Sequence, residues 1–489
     1  MSWGGGADVA GAEASPHFVI VPMMAAGHAG PMLDMARVLA GQGALVTFVT
    51  TPLNLPRLGR APGDDALPIR FLSLRFPCAE AGLPEGCESL DALPGLDLLG
   101  NFNDACAMLR APLVAHLRED CSTPPASCIV SDACHPWTGG VARELGVPRL
   151  AFDGFCAFSS FCMRQMNFHR IFDGVDDDRR PVRVPGFPID VEISRARSPG
   201  NFTGPGMKEF GEEIMAESAR ADGLVVNTFA ELEPLFVDAY EAAIGRKIWT
   251  IGPLFLSTTM PSTATTEDAN AARCASWLES KKPRSVVFVS FGSLVRSSLP
   301  QLVEIAHGLE ASNRPFIWVV KPGNLAKFER WLSDDGFESR VGEKGLVIRD
   351  WAPQRAILPH PATGAFVTHC GWNSVLECVA AGLPMATWPH FAEQFMNEKL
   401  VVDMLRVGVP VGVKDTAQWG VETEAVVATR EDVERAVAAV MDGGEEGSAR
   451  RDRAAELGRK AREAVARGGS SSRNVKLLME HVEQKKSMA

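Results

Sequence analysis

His28 is the first residue whose type and place could do chemistry, because an imidazole exchanges a proton near neutral pH. It lies in the segment Gly27-His28-Ala29-Gly30-Pro31, just after the apolar run 18–23, which predicts the first strand. Asp132 follows a second predicted strand at residues 127–131. Both residues therefore lie at the carboxyl edge of a predicted parallel sheet, where α/β proteins bind ligands. His28 is a candidate general base at this edge.

Both residues also have a structural interpretation. A lone histidine in this place can pack or cap, and an aspartate before a helix can cap its N-terminus. Residue type and spacing alone leave these alternatives open.

A second group of residues could bind phosphate. The predicted strand at residues 365–368 leads into the sequence HCGW (369–372), and a helix is predicted to begin at residue 373 or 374. The free N–H groups at the start of a helix attract an anion. Gly371 allows a close approach of the backbone, and His369 can donate to a diphosphate oxygen.

This segment has two other interpretations. Ser374 and Glu377 have the spacing of a capping box, which would satisfy the same donors within the helix. His369 and Cys370 could be imagined as metal ligands, but adjacent residues on an extended chain point apart. Because no partner pair has the spacing typical of zinc, we predict no metal site.

Alternating strands and helices must position these residues. A helix is predicted to begin at Pro31, since proline is tolerated in a first turn. The strand–helix alternation predicts two doubly wound α/β domains that face each other across a cleft. The predicted strands are 18–23, 45–51, 127–131, 149–152 and 223–227 in the first half, and 285–290, 315–320, 346–349, 365–368, 385–388 and 409–411 in the second.

Length and composition give the domain boundaries. A chain of 489 residues is too long for one hydrophobic core. We predict a disordered Gly/Ala-rich segment at 1–16, a first domain at 17–253 and a second domain at 274–470. A Ser/Thr/Pro-rich linker at 254–273 would join them. A helix at 471–489 is predicted to pack back on the first domain.

Charge and composition exclude some partners. The net charge is -11, and no dense run of Lys and Arg is present, so we expect no nucleic-acid partner. No apolar stretch approaches the ~20 residues needed to cross a bilayer, so we expect no stable membrane association. The 11 cysteines are scattered without CxxC spacing, which favours a reduced, cytoplasmic setting. Oligomeric state is not readable from the sequence, and a monomer is favoured.

One long motif carries a family resemblance. The 44 residues from Trp351 to Gln394 resemble the signature box of plant UDP-dependent glycosyltransferases. SFGS (290–293), VNTFAELEP (226–234) and WTIGPL (249–254) resemble the same family, so the likeness covers nearly the whole chain. The segments 21–40 and 184–197 are similar to the branch that acts on flavonoids, triterpenoids and steroids. The resemblance implies the GT-B fold, with an acceptor-binding first domain and a UDP-sugar-binding second domain.

The resemblance also implies a role for residues of the box. It implies that Trp351 stacks on uracil, that Gln354 and Glu377 hold the ribose, and that Glu393 and Gln394 bind the sugar. Gln at this last position goes with glucose in the family. The remaining implied donor contacts are Ser293, His369, Asn373 and Ser374 on the diphosphate, together with Ala352, Gly371 and Trp372.

The resemblance assigns catalysis to His28 and Asp132. His28 would deprotonate an acceptor hydroxyl, and Asp132 would hydrogen-bond the imidazole, orient it and stabilise its charged form. The implied reaction is an inverting transfer of glucose from UDP-glucose to a small hydrophobic acceptor, giving a β-O-glucoside without cofactor or metal. Ala26 and Ala29 depart from the residues common in the branch, which puts the acceptor in doubt. The apolar runs 155–166 and 98–113 could line its pocket or belong to the core.

Three other functions are alternatives for a chain with these features. A UDP-sugar epimerase on the same scaffold would not need an apolar acceptor cleft. A UDP-sugar-binding protein without transferase activity would not need both His28 and Asp132. A nicotinamide-dependent oxidoreductase is disfavoured, because the first strand is followed by AAGHAG and not by GxGxxG.

Overall fold

The computed structural model describes residues 15–59, 63–198, 207–258, 266–321, 323–349, 351–414, 416 and 425–488. Residues 1–14 of the segment predicted to be disordered (1–16) lie outside the described residues. Residues 259–265 of the predicted linker lie outside them as well. Helix Thr266–Glu279 begins within the segment predicted as a linker.

The first half of the chain forms one parallel sheet. Its strands lie in the order β3-β2-β1-β4-β5-β8-β9. A separate antiparallel pair, β6 with β7, lies outside it. The strands are β1 (His17–Val21), β2 (Leu45–Thr50), β3 (Ile69–Ser73), β4 (Cys128–Asp132), β5 (Arg149–Asp153), β6 (Val182–Arg183), β7 (Glu192–Ile193), β8 (Gly223–Val226) and β9 (Ile248–Thr250).

The second half forms another parallel sheet. Its strands lie in the order β12-β11-β10-β13-β14-β15. As in the first sheet, the first strand along the chain lies inside the sheet, and later strands are added on both sides of it. The strands are β10 (Val286–Ser290), β11 (Phe316–Val320), β12 (Gly345–Arg349), β13 (Thr363–Thr368), β14 (Met385–Thr387) and β15 (Gly408–Pro410).

Helices connect the strands and cover the sheets. In the first half they are α1 (Ala26–Gly41), α2 (Leu99–Met108), α3 (Arg110–Glu119), α4 (Thr138–Leu145), α5 (Ala157–Phe168), α6 (Met207–Arg220) and α7 (Pro234–Ile244). In the second half they are α8 (Thr266–Glu279), α9 (Leu299–Ala311), α10 (Leu325–Asp335), α11 (Phe337–Val341), α12 (Gln354–Ile357), α13 (Trp372–Ala381), α14 (Gln394–Lys399), α15 (Arg430–Val440), α16 (Glu445–Val465) and α17 (Ser470–Met488). No helix in the described part of the chain is both long and apolar enough to span a bilayer.

The predicted α/β class with two doubly wound sheets is confirmed. Every predicted strand is present with its ends within two residues. All of them except β12 and β15 are central in a parallel sheet, where strands are buried on both faces and read as continuous apolar runs. All five residues of β1, for example, are buried. The strands β3, β6, β7 and β9 were not predicted. The residues of the edge strand β3 are intermediate or exposed, so the sequence IRFLS has no such run.

The last helix packs on the first sheet. Val475, Leu478 and Val482 of α17 are buried in one cluster with Trp249 of β9. The side chain of Asn474 donates to the carbonyl of Thr250 at 3.0 Å. Since α16 packs on α13 in the second domain, the turn from α16 to α17 carries the chain back across the domain boundary.

Leu478 tests how much this packing stabilises the protein. Leu478→Ala removes a side chain that is 0% exposed, and we expect a loss of about 2–5 kcal/mol in the free energy of unfolding. Its neighbour Leu477 is 49% exposed, and Leu477→Ala is expected to change stability by about 0.5 kcal/mol or less. Thermal melts of both variants measure the difference. Equal melting temperatures would show that α17 does not contribute through this contact.

Candidate active site

His28 and Asp132 come from neighbouring strands of the first sheet. β1 and β4 are parallel partners, with Val21 opposite Ser131. α1 begins at Ala26, so His28 lies on its first turn, while Asp132 is the last residue of β4. Nδ1 of His28 and Oδ2 of Asp132 are 2.8 Å apart. The two residues singled out from the sequence are therefore in direct contact.

The carboxylate of Asp132 is ionised. Burial raises the pKa of Asp132, but the charge of His28 and the hydrogen bond to its ring outweigh burial and lower that pKa to about 2. The other oxygen, Oδ1, accepts the backbone N–H of Cys134 at 2.9 Å. α4 begins only at Thr138, so the interpretation of Asp132 as a cap of that helix is wrong.

His28 is a stronger base than an ordinary histidine. Burial lowers the pKa of His28, whereas the charge of Asp132 and the hydrogen bond to it raise that pKa, with further contributions from Glu393 and Asp91. The raising effects are larger together, so the pKa lies above 6.5. Because Nδ1 shares its proton with Asp132, Nε2 is the nitrogen that can take up another. The side chain is 28% exposed, so a substrate can reach it.

Helix α1 begins at Ala26 and not at Pro31, so the predicted start was wrong. The carboxylate of Asp91 accepts the N–H of Ala26 at 2.9 Å and replaces a local cap. Pro31 has no N–H to donate to the carbonyl of Gly27 one turn earlier. That carbonyl accepts the side-chain N–H of Asn373, in the second domain, at 2.7 Å. Neither partner is local, which explains why the pattern did not predict them.

The start of α13 has the geometry of an anion site. After β13 the chain turns through Cys370, whose φ of 65° is left-handed. Gly371 is the N-cap, and no side chain caps the first turn of the helix. The amide of Asn397 donates to the carbonyl of Cys370 at 2.8 Å and holds this turn in place. Backbone N–H groups at such a terminus can bind a phosphate.

The capping-box interpretation of Ser374 and Glu377 is wrong. Ser374 is the third residue of α13, and its hydroxyl oxygen accepts from Nε2 of Gln354 at 3.0 Å. The carboxylate of Glu377 accepts from Gln354 at 2.7 Å and from Nε of Arg355 at 2.8 Å. These side chains form one polar cluster between α12 and α13. Trp351, just before α12, is 38% exposed and offers an aromatic surface for stacking.

His369 is a neutral ring at this site. Burial lowers the pKa of His369 to about 3, and the neighbouring His390 ring and the positive charge of Lys321 act in the same direction. Gly292 and Gly371 lie against the ring, and a Cβ at Gly292 would come 2.6 Å from Nε2. The buried Nδ1 has no hydrogen-bond partner among the described residues. His369 can donate an N–H to a ligand, but it adds no positive charge at neutral pH.

Glu393 and Gln394 are both buried at the start of α14. Burial raises the pKa of Glu393 to about 7, although its own backbone N–H, His28 and the amide of Asn397 lower it. The Asn397 amide donates to Oε1 of Glu393 at 3.1 Å. The side-chain oxygen of Gln394 accepts the N–H of His390 at 2.8 Å. Both side chains are therefore held in fixed orientations near the centre of the site.

The remaining residues of the predicted donor site, Trp372, Ala352 and Ser293, differ in burial and in the groups that they contact. The indole N–H of Trp372 donates to the carbonyl of Asn227 in the first domain at 2.8 Å, and the side chain is 2% exposed. Trp372 thus joins the domains, which leaves its backbone N–H at the helix start. Ala352 is buried, and its carbonyl accepts the N–H of Gln354. Ser293 is exposed in the loop after β10.

The two apolar runs considered for an acceptor pocket contribute mainly to the core. Phe158 and Phe161 of α5 are 0% and 1% exposed, as are Phe102 and Leu109 in the other run. Their burial favours the core interpretation at these four positions.

Sequence reasoning missed Asn397 and Arg355. Asn397 is 0% exposed, and besides its two donations its oxygen accepts from the hydroxyl of Ser159 in the first domain at 2.8 Å. A buried asparagine one helical turn after Glu393 was the available signal. Arg355 reaches the carboxylate of Asp34 in the first domain at 3.2 Å, and no local pattern indicates that contact.

The effect of Asp132 on His28 can be measured directly. Asp132→Asn keeps the shape of the side chain but removes its charge, so burial then dominates and the pKa of His28 is expected to fall below 6.5. Histidine NMR titrations, with the His28 signal assigned from His28→Gln, give both values. Asp120→Asn, a change beside His116, should leave the His28 titration unmoved. An unchanged His28 pKa in Asp132→Asn would contradict the electrostatic account.

Comparisons of sequence and structure show which known proteins this chain resembles. A family model described as "UDP-glucoronosyl and UDP-glucosyl transferase" matches residues 226–445. UDP-glycosyltransferase 73C6 of Arabidopsis thaliana is 41% identical over 480 residues, covering 96% of each chain. The structure of Glycyrrhiza uralensis UGT73P12, complexed with glycyrrhetinic acid 3-O-monoglucuronide, is 35% identical with a TM-score of 0.86 and covers 97% of each chain. Arabidopsis thaliana UGT89C1, complexed with quercetin, is 30% identical with a TM-score of 0.72, covering 96% of this chain and 99% of that one. The chain belongs to the plant UDP-glycosyltransferases.

Proposed function

We propose that the enzyme transfers glucose from UDP-glucose to a hydroxyl of a small hydrophobic acceptor, with inversion, to give a β-O-glucoside. The observation that carries this proposal is the 2.8 Å contact between His28 and the ionised Asp132, which leaves Nε2 of an accessible, basic imidazole for the acceptor. The acceptor class is supported by relatives. One is complexed with glycyrrhetinic acid 3-O-monoglucuronide and another with quercetin.

The chemical step moves one proton and one glucosyl group. Nε2 of His28 takes the proton of the acceptor hydroxyl while its oxygen bonds to the anomeric carbon. The bond from that carbon to the diphosphate oxygen breaks, and UDP leaves with the electron pair. Attack opposite the leaving group inverts the configuration, through a transition state that resembles an oxocarbenium ion. Asp132 stabilises the imidazolium that forms.

The leaving diphosphate needs groups that favour negative charge. The uncapped start of α13 offers backbone N–H groups and the positive end of the helix dipole. Neutral His369 would donate one further hydrogen bond, as would Asn373, Ser374 and Ser293. We propose that these groups serve in place of a divalent ion, and that no cofactor takes part.

The sugar and the nucleoside would be held by fixed polar groups. Glu393 and Gln394 are the proposed contacts to the glucose hydroxyls, and both are oriented by neighbours at the start of α14. Gln354 and Glu377 are the proposed contacts to the ribose, with Trp351 stacked on the uracil. A cytoplasmic location and a monomeric state stay predictions from the sequence.

His28→Ala tests the proposal. Loss of the general base is expected to lower kcat/KM with UDP-glucose by about 10²–10⁴-fold. The assay measures UDP release and product mass with flavonoid, triterpenoid and steroid acceptors in the presence of EDTA. A hexose-sized mass gain in the wild type is the expected product.

His307→Ala is the matched control. His307 is 22% exposed and lies 3.6 Å from the carboxylate of Glu310, so it resembles His28 in exposure and in having a carboxylate nearby, but it lies on α9. Because His307 lies outside the proposed site, this variant should keep wild-type activity. Wild-type transfer rates in His28→Ala, or a requirement for a divalent ion, would count against the mechanism.

A further inference from the structure

A chain of alternating charges crosses the domain boundary at the proposed ribose site. In the second domain, Nε of Arg355 donates to Oε1 of Glu377 at 2.8 Å. Nη1 of the same guanidinium lies 3.2 Å from Asp34 on α1 of the first domain. Asp34 is held from its other side by Arg37 at 3.0 Å, and Arg37 binds Asp64 at 2.9 Å. The site is thereby connected to the first domain through ion pairs.

The charged side chains of this series of ion pairs are largely buried. The side chains of Asp34, Glu377 and Arg355 are 3%, 10% and 25% exposed. Exposed ion pairs contribute little to protein stability, whereas a buried charge that loses its partner is strongly destabilising. The Arg355 guanidinium also lies over the ring of Phe255, 5.1 Å from its centroid. Arg355 is therefore fixed by Glu377, Asp34 and an aromatic face.

The two donors on Glu377 set the plane of its carboxylate. Arg355 donates to Oε1 and Gln354 donates to Oε2. Each carboxylate oxygen can accept two hydrogen bonds, so one acceptor position on each oxygen is left for a ligand. A vicinal diol needs two such acceptors at a defined angle. The planar fork of arginine is suited to binding two carboxylates at once, which a lysine cannot do with the same geometry.

We propose that Arg355 is a positioning residue of the donor site. It orients Glu377 for the ribose hydroxyls, and through Asp34 it makes that orientation depend on the docking of the first domain. This role rests on the proposed function, since it takes Glu377 as the group that accepts from the ribose.

Binding of UDP and 2′-deoxy-UDP to the full chain tests the role without requiring sugar transfer. Titration calorimetry gives the ratio of the two dissociation constants, which reports the contact to the 2′-hydroxyl alone. We expect 2′-deoxy-UDP to bind the wild type about tenfold or more weakly, because a hydrogen bond to a carboxylate is lost. In Arg355→Leu the ratio should fall to about one to three, since Glu377 is no longer held in place.

Arg340→Leu is the matched control. Arg340 also binds two carboxylates, those of Glu310 and Asp335, but it lies on α11, outside the site. It should keep the wild-type ratio even if the protein is less stable. A purely structural role for Arg355 would weaken both nucleotides equally, so an unchanged ratio in Arg355→Leu would overturn the proposal.

Two further variants complete the test. Arg355→Lys keeps the positive charge but not the planar guanidinium group. It should reduce the ratio of the dissociation constants of 2′-deoxy-UDP and UDP by about threefold or more. If Arg355→Leu does not fold, this variant decides, and a wild-type ratio in it overturns the proposal. Asp34→Asn should also reduce the ratio, whereas a wild-type ratio there would overturn the dependence on the first domain.

The failure of this proposal differs from a failure of the proposed function. A wild type that binds neither nucleotide would contradict the UDP-sugar donor, and the role of Arg355 would fall with it. If the wild type and Arg355→Leu both bind UDP and have the same ratio of dissociation constants, the UDP-sugar donor is still supported. Only the role of Arg355 is then overturned.

Discussion

The contact between the first turn of α1 and the first turn of α13 joins the two halves of the site. Pro31 leaves the carbonyl of Gly27 without its helical partner, and Asn373 of the other domain donates to it at 2.7 Å. His28 is the next residue after Gly27, and Asn373 lies at the helix terminus with the geometry of an anion site. One hydrogen bond thus links the proposed base to the proposed diphosphate site across the domain boundary. Trp372 strengthens the same junction by donating to Asn227.

Electrostatics then give the two histidines of the site opposite properties. His28 lies beside an ionised carboxylate, which raises its pKa and suits it to take up a proton. His369 is buried, with the positive charge of Lys321 nearby, and its pKa falls to about 3. A neutral His369 can donate a hydrogen bond, but it does not take up a proton near neutral pH. Burial and neighbouring charge therefore distinguish the imidazole that is suited to act as a base from the one that stays neutral.

The sequence predicts the fold well and the contacts between domains poorly. Strands such as β1 and β13 are buried on both faces, so their apolar runs mark them without any knowledge of tertiary structure. The start of α1 was mispredicted because its cap comes from Asp91 and its unpaired carbonyl is used by Asn373, both far away in the chain. The capping-box spacing of Ser374 and Glu377 was misleading for a similar reason, since Gln354 and Arg355 bind those side chains. The resemblance to the family suggested candidate site residues, but it did not indicate that Trp372 joins the two domains through Asn227.

The central claim is that Asp132 acts through His28 and that the pair works as one unit. The most direct test compares kcat/KM for Asp132→Ala, His28→Ala and the double variant, with one acceptor and UDP-glucose. If the pair is a unit, the double variant should be within about threefold of His28→Ala, because an aspartate that orients a missing imidazole has nothing left to lose. If the two losses instead multiply, Asp132 acts independently of His28, and this account of the site is contradicted.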